Sequence, residues 1–463
     1  MYIQQIYTSC LAEASYYIES NGEAAIIDPI RETEPYTTLA EQRGAKIKYI
    51  FETHFHADFV SGHIDLSRIT NAPILFGPGA KTGYNIENVA DGQLLKLGNV
   101  TFKILHTPGH TLESICILLL DENNVENAVF TGDTLFVGDV GRPDLTGTSS
   151  SLTSKDLAGF LYDSLQSKIV ILPTNTTVYP AHGAGSSCGK NIGKETFTTI
   201  GEQLENNYAL KAKSKQAFID AVTDGLNAPP AYFFDEVAIN KNGYRSIDEI
   251  LSNDVKKLSV AHLKLEIENG TTILDVRKPD DYEKLNLKNS INIGLDGQFA
   301  IWAATLLPLT TKFVVIAPIG RETEAITRLA RVGFENVKGY FADDLQNLQT
   351  ELLLQSINSV EPEVFASAYL NSAIDVLDVR NENEKSSGVI ENAELIALDN
   401  LTLNMNLLNA AKTYYVHCAG GYRSMIACSI LKKNGFENVI NVKGGMGKIK
   451  EQEGIKLVTA TLA

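Results

Sequence analysis

Four short motifs in the first 182 residues constrain this chain most, because each ends a strand-like run in side chains that bind metals. The motifs THFHAD, TPGHT, TGDT and YPAHG supply six candidates: His54, His56, Asp58, His110, Asp133 and His182. Apolar, β-prone runs precede the turns, so the pattern predicts that the ligands share one rim. Imidazole and carboxylate ligands without cysteine favour a catalytic ion over a closed structural zinc. The sequence therefore predicts a metalloenzyme.

The order of these motifs resembles the metallo-β-lactamase fold, an αββα sandwich whose metals bind at one edge of two packed sheets. The chain departs from the family's HxHxDH motif at Phe59, which replaces the last histidine. In dinuclear members that histidine helps to hold the second metal, and a phenyl ring binds none. The sequence therefore favours a mononuclear site.

Within the superfamily, the chain is most similar to the persulfide dioxygenases, which hold one Fe(II) with two histidines and one aspartate. The resemblance implies that His54, His110 and Asp133 are the ligands, with positions left open for O2 and a substrate sulfur. The other candidates would hydrogen-bond to the ligands instead: His56, Asp58 and His182. Zinc is the alternative metal, because imidazole and carboxylate accept both ions.

Two further residues are candidates for contact with a thiol substrate. Arg142 lies in GDVGRPDL, and similar segments of the family help to place the thiol; an ion pair with Asp144 is the structural alternative. Cys188 lies in the glycine-rich AHGAGSSCGK, where a thiol could exchange sulfur with a persulfide. A buried, unreactive cysteine is the alternative there.

The second half of the chain is a duplication. ILDVR at 273–277 returns as VLDVR at 376–380, and GFENV at 333–337 returns at 435–439, with offsets of 103 and 102 residues. This period fits two globular domains rather than a short-repeat solenoid. Strands alternate with helical stretches in each copy, which predicts a parallel sheet covered on both faces.

The second copy contains the nucleophile of a sulfur-transfer site. Cys418 opens a compact turn before a helix predicted from about Ser424, and backbone N–H groups from Ala419 to Arg423 favour a thiolate and a persulfide. The segment resembles the active loop of the rhodanese sulfurtransferases, Cys-x-x-Gly-x-Arg, which implies catalytic roles for Cys418 and Arg423. A cysteine phosphatase is the enzymatic rival, but its loop has five residues between cysteine and arginine, and this one has four.

The first copy lacks this chemistry. Alignment of VVIAPIGRET with YVHCAGGYRS puts Ala317 where the second copy has Cys418. Without a sulfur nucleophile the copy cannot form a persulfide, so we interpret it as a degenerate rhodanese domain. A spacer, a docking surface and a binding site are all consistent with the sequence.

The predicted fold is therefore multidomain: an αββα metallo-β-lactamase sandwich (1–245), then two α/β rhodanese-like domains with parallel sheets, one degenerate (246–355) and one active (356–463). A net charge of −16 argues against nucleic acid and membrane partners. Five scattered cysteines form no disulfide framework, and no leader or membrane-length apolar run is evident, so we expect a cytoplasmic enzyme. A homodimer or homotetramer is expected.

The whole chain resembles fusion proteins that join a persulfide dioxygenase to rhodanese domains. The resemblance implies that O2 oxidises a low-molecular-weight thiol persulfide at one Fe(II) per chain, giving sulfite and thiol. Cys418 would then transfer sulfur to sulfite and form thiosulfate, a sulfide detoxification. Glutathione, coenzyme A and other thiols are all possible carriers. The alternatives are a zinc-dependent thioester hydrolase of the glyoxalase II kind and a non-catalytic sulfur carrier or sensor.

Overall fold

The computed structural model describes residues 1–145, 152–226, 228–348 and 352–459. These residues form two compact units: Met1–Ile250 with Leu329–Glu335, and Leu251–Arg328 with Asn336–Ala463. The three-domain boundaries given above stay predictions. Within the described ranges, every helix is too short or too polar to cross a lipid bilayer.

The first unit contains two six-stranded sheets. The first sheet has its strands in chain order: β1 (Tyr2–Thr8), β2 (Glu13–Ser20), β3 (Glu23–Ile27), β4 (Lys46–Phe51), β5 (Ile74–Phe76) and β6 (Glu87–Asn88). The second sheet also has its strands in chain order: β7 (Leu94–Leu97), β8 (Val100–His106), β9 (Ile115–Leu120), β10 (Glu126–Gly132), β11 (Thr177–Pro180) and β12 (Thr198–Thr199). The helices are α1 (Glu34–Arg43), α2 (His63–Thr70), α3 (Ser154–Ser164), α4 (Ile200–Asn206), α5 (Lys215–Thr223), α6 (Tyr232–Asn242) and α7 (Ile247–Asp254), of which α7 crosses the unit boundary.

The core of this unit lies between the inner faces of the two sheets. Phe51 of β4 and Phe102 of β8 meet edge to face, with ring centroids 5.3 Å apart. The outer face of the second sheet is also apolar, and Val129 of β10 packs there with Leu161 of α3 and Phe218 of α5. Burial on both faces explains why β9 is the continuous apolar run ICILLL. The result is the predicted αββα sandwich.

The second unit contains two parallel sheets, one for each copy of the duplicated sequence. The first copy comprises α8 (Val260–Glu268), β13 (Thr272–Asp275), α9 (Pro279–Lys284), β14 (Asn286–Leu287), β15 (Ile291–Asn292), α10 (Phe299–Leu306), β16 (Phe313–Ile316), α11 (Glu322–Ala330), β17 (Val337–Phe341) and β18 (Leu354–Gln355). Its four-stranded sheet has the order β15-β13-β16-β17.

The second copy repeats this plan with five strands in the order β19-β24-β23-β20-β22. Its elements are β19 (Asn358–Val360), α12 (Pro362–Asn371), β20 (Asp375–Asp378), α13 (Glu382–Lys385), β21 (Val389–Ile390), β22 (Glu394–Leu395), α14 (Leu401–Asn404), β23 (Tyr414–His417), α15 (Tyr422–Lys433), β24 (Val439–Val442), α16 (Gly445–Ile449) and β25 (Leu457–Val458). The two prolines at helix starts, Pro279 and Pro362, stand where a missing N–H costs no hydrogen bond. The predicted parallel α/β architecture is confirmed.

Candidate metal centre and sulfur-transfer loop

The four histidine and aspartate motifs meet at one edge of the first unit. His54 follows β4, His110 follows β8, Asp133 follows β10 and His182 follows β11. Asp133 Oδ2 lies 3.3 Å from His110 Nε2 and 3.8 Å from His54 Nε2, and Asp133 Oδ1 lies 3.5 Å from His182 Nε2. All four side chains are buried. The structure thus brings the predicted ligands together.

Each of these three histidines, His54, His110 and His182, is oriented by a contact at Nδ1, the ring nitrogen that faces away from Asp133. In each case Nδ1 faces an oxygen of the protein and Nε2 points toward Asp133. The oxygens are the Thr53 hydroxyl for His54 at 2.9 Å, the Arg142 carbonyl for His110 at 2.9 Å, and the Ala12 carbonyl for His182 at 3.2 Å. Such bonds fix the ring and its tautomer, as is typical of metal-binding histidines.

The inward-facing atoms have no hydrogen-bond partner among the described residues: His54 Nε2, His110 Nε2, His182 Nε2 and both carboxylate oxygens of Asp133. A buried polar atom left without a partner costs about 1–3 kcal/mol. The ligand atoms of His54, His110 and Asp133 all lie within 4.8 Å of one another, close to the roughly 4.2 Å that two bonds of about 2.1 Å to one ion can span. The donor set therefore fits a divalent metal.

Glycines allow the chain to approach this centre closely. Gly132, just before Asp133, has a φ of +49°, and a Cβ there would lie 2.5 Å from the Thr53 hydroxyl oxygen. At Gly141 a Cβ would lie 2.9 Å from His110 Nδ1. A larger residue at either position would displace a group that orients a ligand.

His56 faces two buried carboxylates that the sequence analysis missed. Its Nε2 lies 3.2 Å from Asp28 Oδ1 and 3.5 Å from Glu52 Oε2. Glu52 also accepts a 2.6 Å bond from the Ser61 hydroxyl and lies 3.3 Å from His63 Nδ1. Burial, then the charge of Asp28, raises the pKa of Glu52 well above its usual value. Glu52 thereby connects the two ends of the loop that carries the HFHAD motif.

Burial and charge set the protonation of the centre. Burial, then the neighbouring His56, lowers the pKa of His54 well below its usual value, so this ring is neutral at pH 7. Burial opposes protonation of His182, but Asp58 and Asp133 outweigh it and raise the pKa of His182. Burial also raises the pKa of Asp58, which lies 3.5 Å from His182. Because metal ligands must be deprotonated, metal binding here weakens at acid pH.

Arg142 and Cys188 both lie close to this centre. Arg142 forms a two-pronged ion pair with Asp144, at 2.7 and 2.9 Å, so the structural alternative for this residue is present. The Cys188 sulfur lies within 4.8 Å of ligand atoms of Asp133 and His182. Burial, then nearby carboxylates, raises the pKa of Cys188 well above its usual value, so it is a thiol at neutral pH.

In the second unit, Cys418 directly follows β23 and is buried. The backbone N–H of Gly421 donates to its sulfur at 3.0 Å, as expected for one of the loop amides. The Ser424 hydroxyl lies 3.7 Å from the sulfur and bonds to the Asn441 side chain at 2.7 Å. The helix predicted from about Ser424 begins at Tyr422, so its N-terminus lies beside the loop.

Arg423 forms an ion pair with Glu384, a residue that the sequence analysis missed. Both of its terminal nitrogens bond to the Glu384 carboxylate, at 2.6 and 2.7 Å. Burial raises the pKa of Glu384, but the bonds from Arg423 outweigh it and the pKa is lowered. Glu384 lines a cavity of about 330 Å³ with Arg380, Ala419 and Lys450, so this cavity next to the cysteine loop has a cationic lining.

The first copy keeps such a cavity without the nucleophile. Ala317 follows β16 as Cys418 follows β23, and it lines a cavity of about 390 Å³. Arg277 and Lys284 line this cavity with Asp281, Asp343 and Asp344, which gives it a more acidic wall. The first copy therefore differs from the second in charge as well as in its missing sulfur.

Comparison with known proteins identifies the families that the two halves of the chain resemble. The model of the metallo-beta-lactamase superfamily matches residues 9–182, and that of the rhodanese-like domain matches residues 259–340 and 362–452. The mitochondrial persulfide dioxygenase ETHE1 of Bos taurus is 32% identical over 211 residues, which cover 45% of this chain and 73% of that protein. The chain belongs to the metallo-β-lactamase superfamily. Its metallo-β-lactamase domain is followed by rhodanese-like domains, as in a fusion of the two families.

Other relatives of the metallo-β-lactamase domain are hydrolases. A probable hydroxyacylglutathione hydrolase of Schizosaccharomyces pombe is 33% identical over 167 residues, which cover 35% of this chain and 60% of that protein. The chain spans less than two thirds of that relative and of three further hydroxyacylglutathione hydrolases. The crystal structure of a metallo-beta-lactamase from Staphylococcus aureus subsp. aureus COL is similar to this chain, with 31% sequence identity and a TM-score of 0.65. The match covers 74% of this chain and 99% of that one.

Proposed function

We propose that this metallo-β-lactamase superfamily member is a persulfide dioxygenase coupled to a thiosulfate-forming sulfurtransferase. One persulfide reacts as RSSH + O2 + H2O → RSH + sulfite + 2H⁺, and a second as RSSH + sulfite → RSH + thiosulfate. The observation that carries the proposal is a complete His54–His110–Asp133 set beside Phe59. The Phe59 ring is fully buried, 4.4 Å from the His56 ring, where a dinuclear enzyme needs another ligand. This favours one ion rather than two.

His54, His110 and Asp133 would hold Fe(II). When bound, iron supplies the redox chemistry with O2 that side chains lack. The protein's own groups prepare the site: Thr53 and the Arg142 carbonyl fix the two imidazoles. Burial of the ligands excludes water and strengthens the electrostatics of the centre.

The groups around the ligands would place the sulfur substrate. His182 Nε2 lies 3.5 Å from Asp58 Oδ2 at the edge of the centre, and His56 Nε2 faces the carboxylates of Asp28 and Glu52. Arg142, fixed by Asp144 and by the Ser187 carbonyl, would contribute positive charge near a thiol carrier. Cys188 is close enough to the ligands to contact a bound persulfide, and as a neutral thiol it would donate a hydrogen bond rather than compete as an anion.

Sulfur transfer would proceed through Cys418 in two displacements. With thiosulfate as test donor, the Cys418 thiolate attacks the outer sulfur: Cys–S⁻ + S–SO3²⁻ → Cys–S–S⁻ + SO3²⁻. An acceptor such as cyanide then takes that sulfur and restores the thiolate. The Gly421 amide stabilises negative charge on the cysteine sulfur, while Arg380 and Lys450 attract the anionic partners into the cavity.

A thioester hydrolase is the second candidate, because hydroxyacylglutathione hydrolases match the same domain as well as the dioxygenase does. It would use zinc at the same ligands. Phe59 argues against a second zinc, and this function would give Cys418 no part in the reaction.

Anaerobic purification followed by metal analysis and paired assays separates these candidates. We expect about one iron per chain, O2 uptake with the persulfides of glutathione or coenzyme A, and no hydrolysis of a glutathione hydroxyacyl thioester. Two zinc ions per chain, or thioester hydrolysis without O2 uptake, would contradict the proposal. The zinc-substituted protein is the matched control, since it should fold and keep thiosulfate:cyanide transfer but take up no O2.

A further inference from the structure

The two rhodanese-like copies share an aspartate–arginine pair in which the aspartate is fully buried. In the first copy, Arg277 bonds to Asp275 at 2.9 and 2.6 Å, and in the second, Arg380 bonds to Asp378 at 3.0 and 2.6 Å. Each arginine also donates to a main-chain carbonyl eight residues further on. Since the copy without a nucleophile keeps the pair unchanged, the pair does not depend on the presence of the cysteine.

The copies differ at the residue that pairs with this aspartate across the sheet. Ile316 stands opposite Asp275, and His417 stands opposite Asp378, in the same register. The next residue is Ala317 in one copy and Cys418 in the other. The copy that lacks the cysteine therefore also lacks the histidine.

His417 is a costly residue at this position. It is fully buried in a strand, and its Nε2 has no hydrogen-bond partner among the described residues, while the Asp378 carboxylate lies 3.8 Å away. Burial holds the pKa of His417 below its usual value, so the ring is neutral and has one N–H. A buried polar atom without a bond destabilises the fold, and Ile316 shows that the strand accepts an aliphatic residue here.

We infer that His417 is a positioning residue for Cys418, a role that rests on the sulfur-transfer half of the proposed function. Its Nδ1 lies 3.4 Å from the Cys418 carbonyl oxygen, which also accepts a 2.7 Å bond from the Met446 N–H. The two contacts fix the first peptide of the loop, and the Gly421 amide of the same loop holds the sulfur. The first copy has no cysteine sulfur to position, which explains why it has an aliphatic residue, Ile316, in place of the histidine.

The test replaces His417 by the residue of the degenerate copy. We expect His417→Ile to melt at the same temperature as the natural protein or higher, and kcat for thiosulfate:cyanide transfer to fall about tenfold, because a misplaced nucleophile loses its alignment. KM for thiosulfate should not change, since Arg380 and Lys450 are untouched. Alkylation of Cys418 by iodoacetamide should slow, and His417→Gln, which keeps an N–H donor, should recover part of kcat.

The matched control is Ile316→Val, at the same position of the other copy, which should leave transfer unchanged. An unchanged kcat in His417→Ile would overturn the inference. A lower melting temperature would overturn it as well, because the imidazole would then serve stability. If the natural protein shows no transfer that depends on Cys418, the proposed function itself fails, and that outcome is distinct from both.

Discussion

The metal centre and the sulfur-transfer loop bury their reactive groups in different ways. Around Asp133, the inward-facing atoms of three histidines and both carboxylate oxygens have no hydrogen-bond partner among the described residues. In the loop, the protein itself bonds the Cys418 sulfur, the Arg423 guanidinium and the Ser424 hydroxyl. The first site needs an ion to complete it, and the second is complete without one. Changes at each site should therefore have separable effects.

Cys418→Ser tests this separation with the largest expected effect. Because a serine hydroxyl cannot carry sulfane sulfur, thiosulfate:cyanide transfer should fall on the order of 1000-fold or more. O2 uptake with a persulfide should persist, and sulfite should accumulate in place of thiosulfate. Cys428→Ala is the control, since this buried cysteine lies in the same region, on α15. Loss of O2 uptake in Cys418→Ser would contradict the expectation that the two sites act separately.

His110→Ala makes the complementary change. Removal of groups that only support a metal ligand costs about 10- to 100-fold in affinity, so loss of a ligand should cost at least about 100-fold. We expect loss of iron and of O2 uptake, with thiosulfate:cyanide transfer retained. His106→Ala is the control, because His106 lies four residues earlier and its Nε2 contacts the Leu112 carbonyl. Equal iron in His110→Ala and the natural protein would remove His110 from the ligand set.

Glu384→Gln tests how the charge of Glu384 affects thiosulfate binding beside the Cys418 loop. The substitution removes a negative charge from the cationic cavity and releases Arg423, so KM for thiosulfate should fall about threefold, an effect that weakens in high salt. Initial rates at several salt concentrations measure this. Glu391→Gln, which breaks the exposed pair with Lys456, is the control. A higher KM would show instead that Glu384 holds Arg423 in its productive position.

Local features of both sites could be predicted from the sequence. The proposed ligands His54, His110 and Asp133 each stand within a few residues of a strand end, and a short stretch of sequence fixes that placement. The helix after Cys418 starts two residues before the predicted position, within the usual error for helix ends.

Contacts between distant segments could not be predicted. Asp28, which follows β3, contacts His56 in the loop after β4, and the burial of Cys188 depends on how its loop packs. The sequence nevertheless contained a signal for two of the residues that the prediction missed. Glu52 lies two residues before His54, and Glu384 recurs as an acid, Asp281, at the 103-residue offset of the duplication.

Glu236→Gln tests whether the first unit has a surplus of buried negative charge. Glu236 is fully buried on α6, and neither carboxylate oxygen has a hydrogen-bond partner among the described residues. Burial, then the charge of Asp58, raises the pKa of Glu236 well above its usual value. Between the unfolded pKa, about 4.3, and the folded one, the folded state binds more protons, so this group lowers stability as pH rises.

A glutamine side chain does not ionise, so Glu236→Gln should remove this pH-dependent loss of stability. We expect Tm to rise by about 2–4 °C at pH 7.5, for a gain of roughly 1 kcal/mol, and to stay unchanged near pH 4. Thermal melts across this range measure it, with exposed Glu205→Gln as the control. The gain should be larger in metal-free protein, because a bound cation offsets part of the same negative charge. An equal gain with and without metal would mean that Glu236 does not sense the metal centre.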